Sequence, residues 1–378
     1  MPESVVVRHA TGHYPVYVGA GALNSLTALV RAHLPGRAVA LITDSTVGRL
    51  YEEWESGATG RWRADAAPLA EQDPHNWATR LSLPPGEATK TRASWMELSD
   101  LLFEHGLGRD GGLLALGGGV VGDLAGFVAA TFMRGIPYVQ VPTTMVAMLD
   151  ASVGGKTGVD TPRGKNLIGA FHPPAAVVAD PVTLRTLGER DYIGGLSEAI
   201  KHGLVADAGY LDMIEREAEA LVRRDPGVLG AVVLRSIEIK AAIVAADERE
   251  QGRRAVLNAG HTVAHAVEHL SDYRVGHGDA VALGLLAETA MAERLGLADG
   301  ALRPRLVALF GRLGLPVRLP TALLPERLVT AMAFDKKNRD RRIHCALPAA
   351  AGVMAGGDGR WTVPVDHATL LAGLATIK

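Results

Sequence analysis

A single cysteine, Cys345, stands in 378 residues, so no internal disulfide can form and no cysteine-based zinc cluster is available. Such usage fits a reducing compartment. An excess of either charge is missing as well: 39 Lys and Arg face 41 Asp and Glu, which leaves no overall field to draw nucleic acid or an anionic membrane. Any anion binding must be local. Long apolar runs are absent. Stretches such as residues 111–115 are short and broken by glycine, far below the roughly 20 apolar residues of a membrane-spanning helix. The opening MPESVVVRHATGHYPVYVG alternates like a strand and lacks the basic-then-apolar layout of an export signal. A cytosolic protein is expected. Repeats, heptad arrays and low-complexity segments are also lacking.

What is present is an ordinary globular composition, 48% hydrophobic and 21% charged, in a chain longer than one core usually serves. Two domains are expected. Residues 38–43, AVALIT, read as a buried strand with Asp44 at its carboxyl end, where open α/β sheets bind ligands. Residues 112–116 form another strand that runs into Gly117, Gly118 and Gly119, and helical character follows over 120–130. Short strands at 138–141 and 175–179 end at Pro142 and Asp180. The first half is therefore α/β with a largely parallel sheet. Beyond Asp180 the periodicity turns helical, most clearly over 211–224, 228–246 and 281–295. We expect an α/β domain over 1–180, a mainly α-helical domain over 181–378, and a ligand cleft where they meet. Residues 55–85, where Gly, Pro and Trp occur without period, are expected to form a variable surface loop.

Three regions carry candidate chemistry. In GGGVVGD, Gly117 to Asp123, glycines after a strand let backbone N–H groups approach a pyrophosphate, and the helix start adds partial positive charge. A tight turn alone would also use three glycines, and the order is not G-x-G-x-x-G, which disfavours a standard dinucleotide-binding dehydrogenase. In DASVGGKTGVDTPRGKNLIGAF, residues 150–171, Lys156 and Lys165 lie in glycine-rich loops with Asn166 beside the second. That arrangement suits a phosphorylated ligand; two exposed lysines are the competing reading. Glu198, His261 and His277 are candidate metal ligands, set among small residues at helix starts, because one carboxylate and two imidazoles leave coordination positions for substrate oxygens. None of their spacings is a self-sufficient zinc motif, and the pair His261 and His265 lacks the Glu of H-E-x-x-H. Hydrogen-bonded structural histidines are the competing reading, and His202 and His269 are taken as surface or supporting residues. Lys240, Arg254 and Asn258 fall in KAAIVAADEREQGRRAVLN, whose charge density is that of a solvated helix and turn.

Taken in order, PGEATK, GGGVVGD, PTT, SVGGKTGVD with GKNLIGAF, GLSEAIKHG, DEREQGRRAVLNAGHTVAHAVEH, HGDAVALG and DKKN resemble the dehydroquinate synthase family from about residue 44 to residue 348. The resemblance implies an α/β NAD-binding domain followed by a helical metal-binding domain. It also implies an enzyme of the shikimate pathway acting on a small phosphorylated keto acid, with no nucleic-acid or membrane partner. Such an enzyme oxidises a ring alcohol with bound NAD, eliminates phosphate, returns the hydride, opens the ring and closes a carbocycle by an aldol step. Glu198, His261 and His277 are implied to hold zinc or cobalt against two substrate hydroxyls. NAD is implied to meet Asp44, Glu87, Lys90, the turn of Gly118, Gly119, Val120, Val121, Gly122 and Asp123, and then Thr143, Thr144 and Asp150. Lys156, Lys165, Thr183, Leu184 and Thr186 complete its implied surroundings. Substrate is implied to meet Lys156, Lys165, Asn166, Lys201, Lys240, Arg254, Asn258, His265 and the lysines Lys336 and Lys337. Arg254 and Lys240 would suit its carboxylate, and His265 and Lys201 its proton movements. Arg134, in TFMRG, is implied to enter a neighbouring subunit's site, hence a homodimer. Departures from the family pattern are Ala264 for a usual glycine, Asp279 for a usual glutamate, and a basic DRRIHCALP. Valiolone synthases usually read GAKTGV and KNRLG and lose the second histidine of GHTxxH, whereas GGKTGV, KNLIG and His265 stand here. A deoxy-inosose synthase, a metal-dependent glycerol or alcohol dehydrogenase with net redox chemistry, and an inactive scaffold compete with the dehydroquinate synthase reading.

Overall fold

The computed structural model describes residues 2–56, 77–333, 342–356 and 359–378. It comprises two compact units, Met1–Arg185 and Thr186–Lys378. In the first, β1 (Glu3–His9) and β2 (Gly12–Val18) form an antiparallel hairpin. Then come β3 (Val39–Asp44), β4 (Trp77–Leu83), β5 (Gly112–Gly117) and β6 (Tyr138–Pro142). A second hairpin, β7 (Lys156–Thr161) with β8 (Gly164–Phe171), stands outside the main sheet and precedes β9 (Ala176–Ala179). The seven-stranded sheet has the order β1-β2-β9-β6-β5-β3-β4, and every pairing in it is parallel except that of β1.

Successive strand side chains point to opposite faces, so the uninterrupted apolar runs of β3 and β5 require cover on both sides. They have it. Val39 and Leu41, with Leu114 and Leu116, pack on Leu26 and Val30 of α1 (Leu26–His33). Ala40 and Ile42, with Leu113 and Ala115, pack toward Leu98 and Leu102 of α3 (Arg92–Glu104) and Val121 and Leu124 of α4 (Gly119–Thr131). Helix α2 spans Ser45–Ser56. Parallel strands of this kind bring Asp44, Gly117 and Pro142 to one edge of the sheet. After β9, the buried Asp180 accepts hydrogen bonds from the backbone N–H groups of Gly21, Leu23 and Val182 at 3.1, 3.1 and 3.0 Å, tying two loops together.

The loop expected over 55–85 is in part regular: α2 reaches Ser56, and β4 closes the sheet edge against β3. Pairing on one side only made β4 a weak periodic signal. Residues 57–76 lie outside the described residues.

The second unit is mainly helical, with α5 (Glu189–Ala206), α6 (Ala208–Arg216), α7 (Ala218–Val222), α8 (Pro226–Ala246) and α9 (His261–Leu270). α10 (His277–Arg294), α11 (Leu302–Leu313), α12 (Pro325–Met332) and α13 (His367–Ala375) follow. Two short ladders pair β10 (Ile343–Cys345) with β13 (Val363–Val365) and β11 (Pro348–Ala350) with β12 (Val353–Met354). The single helix expected over 211–224 is two helices. Glu217 leaves helical geometry at φ −96° and ψ 11°, so one apolar period is shared by two axes.

α10 is buried almost all round, as a core helix must be when its residues are apolar on every face. Glycine sets how closely it is approached. A Cβ on Gly278 would lie 2.1 Å from the carbonyl oxygen of Gly194 in α5, and one on Gly284 would lie 1.9 Å from that of Gly260, which precedes α9. Gly284→Ala should therefore lower stability by about 1 to 3 kcal/mol. Gly311→Ala, on α11 with nothing within 4 Å of the new Cβ, should raise it by about 0.4 to 1 kcal/mol. Urea unfolding of the two variants checks the opposite signs, and an unchanged midpoint for Gly284→Ala would contradict the packing.

Candidate active site

Glu198 lies in the middle of α5, not at a helix start as expected, and is fully buried. Its Oε2 pairs with Nζ of Lys201 one turn on, and both side chains are about 1% exposed. Its Oε1 lies 3.6 Å from Nε2 of His261 and 3.3 Å from Nε2 of His277. Those histidines are the first residues of α9 and α10, as expected of side chains that must leave the helix cylinder. One ligand atom from each of the three residues falls within 4.8 Å of the others.

Hydrogen bonding decides what the two rings can do. Nδ1 of His261 is 3.1 Å from the carbonyl oxygen of Ala259, and Nδ1 of His277 is 3.3 Å from Oε2 of Glu268. Both partners accept and neither donates, so each ring keeps a proton on Nδ1 and turns Nε2 toward Glu198. This donor set fits a divalent ion with positions left over for substrate oxygens. Burial opposes a charge on His277, but hydrogen bonds to Glu198 and Glu268 push its pKa up to about 10. His265 stands edge-on to His261, ring centres 5.8 Å apart. His202 is fully buried, with Nδ1 2.6 Å from Oγ of Ser236, while His269 is exposed.

The charged run before His261 is not the solvated helix and turn its composition suggests. Lys240 and Arg254 are buried. Asp247 accepts from the N–H groups of Gln251, Gly252 and Arg254 at 2.9, 2.7 and 2.9 Å. Burial works against its ionisation, yet these donors hold its carboxyl below the usual carboxylate range. Arg254 donates through Nη1 to the carbonyl of Glu248, and Asn258 donates to Oε1 of Glu250 at 2.5 Å. Long-range folding of the loop around Asp247 buries what the local pattern would leave in water. Asp279, in the first turn of α10, accepts from Nε of Arg190 at 3.2 Å.

In the first unit, Gly118 precedes α4, which begins at Gly119, Val120 and Val121. Packing accounts for several glycines: a Cβ would meet Val121 at 2.7 Å from Gly117, Thr144 at 2.9 Å from Gly118, and Gln140 at 2.0 Å from Gly122. At Gly119 the nearest atom is 3.7 Å away, so packing does not require that glycine. Lys90 is buried and pairs with Asp123 at 2.5 Å; burial opposes its charge, and Asp123 and Glu87 raise its pKa overall. Glu87 is exposed and lies 3.5 Å from Lys165. Lys156 and Lys165 belong to the β7–β8 hairpin, not to loops, because the glycines near them pair across strands: Gly158 faces Gly169. Asn166, at φ 53°, donates its backbone N–H to Asp160 at 2.9 Å.

Oδ1 of Asp44 caps α2 through the N–H groups of Thr46 and Val47, each at 2.9 Å. Thr143 Oγ1 is buried without a hydrogen-bond partner among the described residues, Thr144 Oγ1 accepts from Ala147 at 3.3 Å, and Asp150 lies in the π-helical turn Ala147–Ala151. Thr183 donates to the Asp180 carbonyl at 2.8 Å, Leu184 is buried, and Thr186 is exposed. Arg134 is exposed with φ 67°. Lys336 and Lys337 lie outside the described residues. Sequence reading passed over Asp160, Glu268 and Glu288. The last two stand on buried helix faces amid apolar neighbours, which was the available signal.

A parallel α/β unit with a glycine turn at its strand ends, and a helical unit carrying a Glu-His-His centre, define a class of two-unit metal-site proteins that includes sugar phosphate cyclases. A 2-epi-5-epi-valiolone synthase from Streptomyces hygroscopicus subsp. jinggangensis, solved with NAD+ and Zn2+ bound, has 28% identity and a TM-score of 0.82, covering 100% of this chain and 99% of that one. A 2-deoxy-scyllo-inosose synthase, solved with carbaglucose-6-phosphate, NAD+ and Co2+, shares the fold at 22% identity and a TM-score of 0.84 over 98% of both chains. Within that class the sequence is more specific: residues 80–194 match the 3-dehydroquinate synthase N-terminal family and residues 195–338 the C-terminal one. The 3-dehydroquinate synthase of Symbiobacterium thermophilum is 46% identical over 341 residues, 90% of this chain and 92% of that protein. The chain belongs to the 3-dehydroquinate synthase family.

At neutral pH Nε2 of metal-free His277 carries a proton that an incoming ion must displace, since its pKa lies near 10. Raised above the ordinary 6.5, this group stabilises the metal-free fold fully below pH 6.5 and progressively less as pH rises toward 10. Zinc titrated into metal-free protein at pH 7 should release about one proton per ion, and affinity should weaken as pH falls. Calorimetry in two buffers of different ionisation enthalpy counts the proton; heats that do not depend on the buffer would contradict the assignment.

Proposed function

We propose that the protein converts 3-deoxy-D-arabino-heptulosonate 7-phosphate to 3-dehydroquinate and phosphate, using NAD and zinc or cobalt, as a step of the shikimate pathway. The observation that carries this reading is Glu198, with one oxygen on Lys201 and the other facing two Nε2 atoms, in a chain of this family. When bound, NAD takes up and returns one hydride while the divalent ion supplies a Lewis acid to the substrate's hydroxyl oxygens. The chain's own groups bind, orient and move protons.

Lys201 neutralises one oxygen of Glu198 and so keeps the carboxylate ionised in a buried setting. Arg254, buried and held at Nη1 by the Glu248 carbonyl, offers a fixed planar cation to the substrate carboxylate, with Lys240 as the second charge. Asn258 and the half-buried His265 bind hydroxyls, and His265 and Lys201 serve proton movement. Lys156, Lys165 and Asn166 meet the phosphate, and positive groups placed beforehand stabilise charge as it develops on the leaving group. Lys336 and Lys337 belong to the same substrate-binding set. The start of α4 and the residues Asp44, Glu87, Lys90, Asp123, Thr143, Thr144, Asp150, Thr183, Leu184 and Thr186 bind NAD, its pyrophosphate at the helix N-terminus. Arg134, exposed on the first unit, serves a neighbouring subunit in a cytoplasmic homodimer.

Two measurements test the reading. Stripping divalent ions should abolish turnover of the heptulosonate phosphate, and zinc or cobalt should restore it; full activity in metal-free protein would end the claim. Arg254→Ala should cost about 2 to 5 kcal/mol in transition-state binding, a thirtyfold to several-thousandfold fall in kcat/KM. Sedoheptulose 7-phosphate, which lacks the carboxylate, should be a poor substrate that loses little more on mutation. Equal losses for both substrates, or native preference for the sugar phosphate, would move the assignment to a cyclase of the valiolone or deoxy-inosose type.

A further inference from the structure

Two buried carboxylates, Glu268 on α9 and Glu288 on α10, have no part in the reaction as proposed. A carboxylate taken out of water is costly unless hydrogen bonds receive it, so where each is spent is informative. Glu268 is 3% exposed, about two turns along α9 from His261. It does not turn to its own helix's ligand. Its Oε2 lies 3.3 Å from Nδ1 of His277, the first residue of α10. Glu288, 0% exposed, lies about three turns along α10 from His277. Its Oε2 accepts the backbone N–H of Gly260 at 2.7 Å, and Gly260 is the residue before His261.

We infer that Glu268 and Glu288 are reciprocal positioning residues: each of the two helices supplies a metal ligand at its first residue and a carboxylate that fixes the other helix's ligand. The inference rests on the reading of Glu198, His261 and His277 as metal ligands. Glu268 acts directly on a ring. An imidazole turns about its χ2 bond, and the Nδ1–H bond to Glu268 selects the rotation and the tautomer in which Nε2 faces Glu198 Oε1 at 3.3 Å. Glu288 acts through the backbone. Gly260 is held at φ 79°, a left-handed conformation that only glycine adopts without strain. Ala259, in the same turn, supplies the carbonyl that orients His261 at 3.1 Å. Fixing Gly260 N–H therefore fixes the acceptor that sets the His261 ring. Glu288 also places negative charge at the N-terminus of α9, where the helix dipole favours it.

The test is metal binding by the purified full-length protein, measured by competition with a chelating dye for zinc and by the visible absorption of bound cobalt. Glu268→Ala and Glu288→Ala should each weaken zinc binding by about 10- to 100-fold, and Glu268→Ala should shift the cobalt spectrum. Glutamine at either position keeps an oxygen that can accept the same N–H, so Glu268→Gln and Glu288→Gln should recover most of the affinity. Glu293→Gln, on the far part of α10 where Glu293 pairs with Arg303 of α11 at 3.3 Å, should bind as the parent does. Zinc affinity within about twofold of the parent in both alanine variants overturns the inference. Should the alanine variants not fold, Glu268→Met and Glu288→Met, which fill a similar volume without an acceptor for the N–H, take their place, and zinc affinity within about twofold of the parent in both overturns the inference as well. The readout needs no substrate. A parent that binds zinc but does not cyclise the heptulosonate phosphate sinks the proposed function alone, whereas an active parent with insensitive variants sinks this inference alone.

Discussion

At two points α10 meets α5 and the turn before α9 backbone against backbone. Gly278 lies against the carbonyl of Gly194, and Gly284 against that of Gly260. Each contact adjoins a ligand: His277 precedes Gly278, His261 follows Gly260, and Glu198 is one turn beyond Gly194. Backbone has no rotamers to explore, so distances set in this way vary little. A metal centre needs that precision, since a ligand displaced by a fraction of an ångström loses much of its value. The glycines that look like gaps in a helical pattern are thus the reason that residues far apart in sequence share one point.

Charge is handled by the same economy. A chain near neutrality has buried Glu198, Lys201, Lys240, Arg254, Glu268 and Glu288 in its second unit and Asp44, Lys90 and Asp180 in its first. Ions inside proteins persist only where partners replace lost water. Lys201 does so for Glu198, Asp123 for Lys90, and backbone N–H groups for Asp180. Burial costs such as these are seldom retained for stability alone.

Fold by itself discriminates little. The same architecture extends to a cyclase at 22% identity, and chemistry in such families resides in the side chains grafted onto it. What narrows the reading is sequence, through the matches that span residues 80–338 in two consecutive families, and side-chain chemistry, through the buried Arg254 and Lys240.

Much was legible from residue order alone. Strands β3, β5, β6 and β9 announced themselves because a parallel strand covered on both faces is apolar throughout, and His261 and His277 sat at helix starts because caps and small residues mark those points. Local pattern misled where a partner distant in sequence decides the outcome. β4 needs β3 beside it, the lysines of 150–171 need their hairpin partner, and Arg254 reads as solvated until Asp247 folds its loop. The proton positions on His261 and His277 were beyond any pattern, because Ala259 and Glu268 reach them only in three dimensions. The sequence by itself determined the family, the two kinds of unit and the identity of the metal-ligand candidates, since these depend on residue types and short-range periodicity. Only the tertiary structure decided which atoms of those residues face one another, because that depends on how closely α5, α9 and α10 approach, and glycine-to-carbonyl contacts between separate segments set that distance.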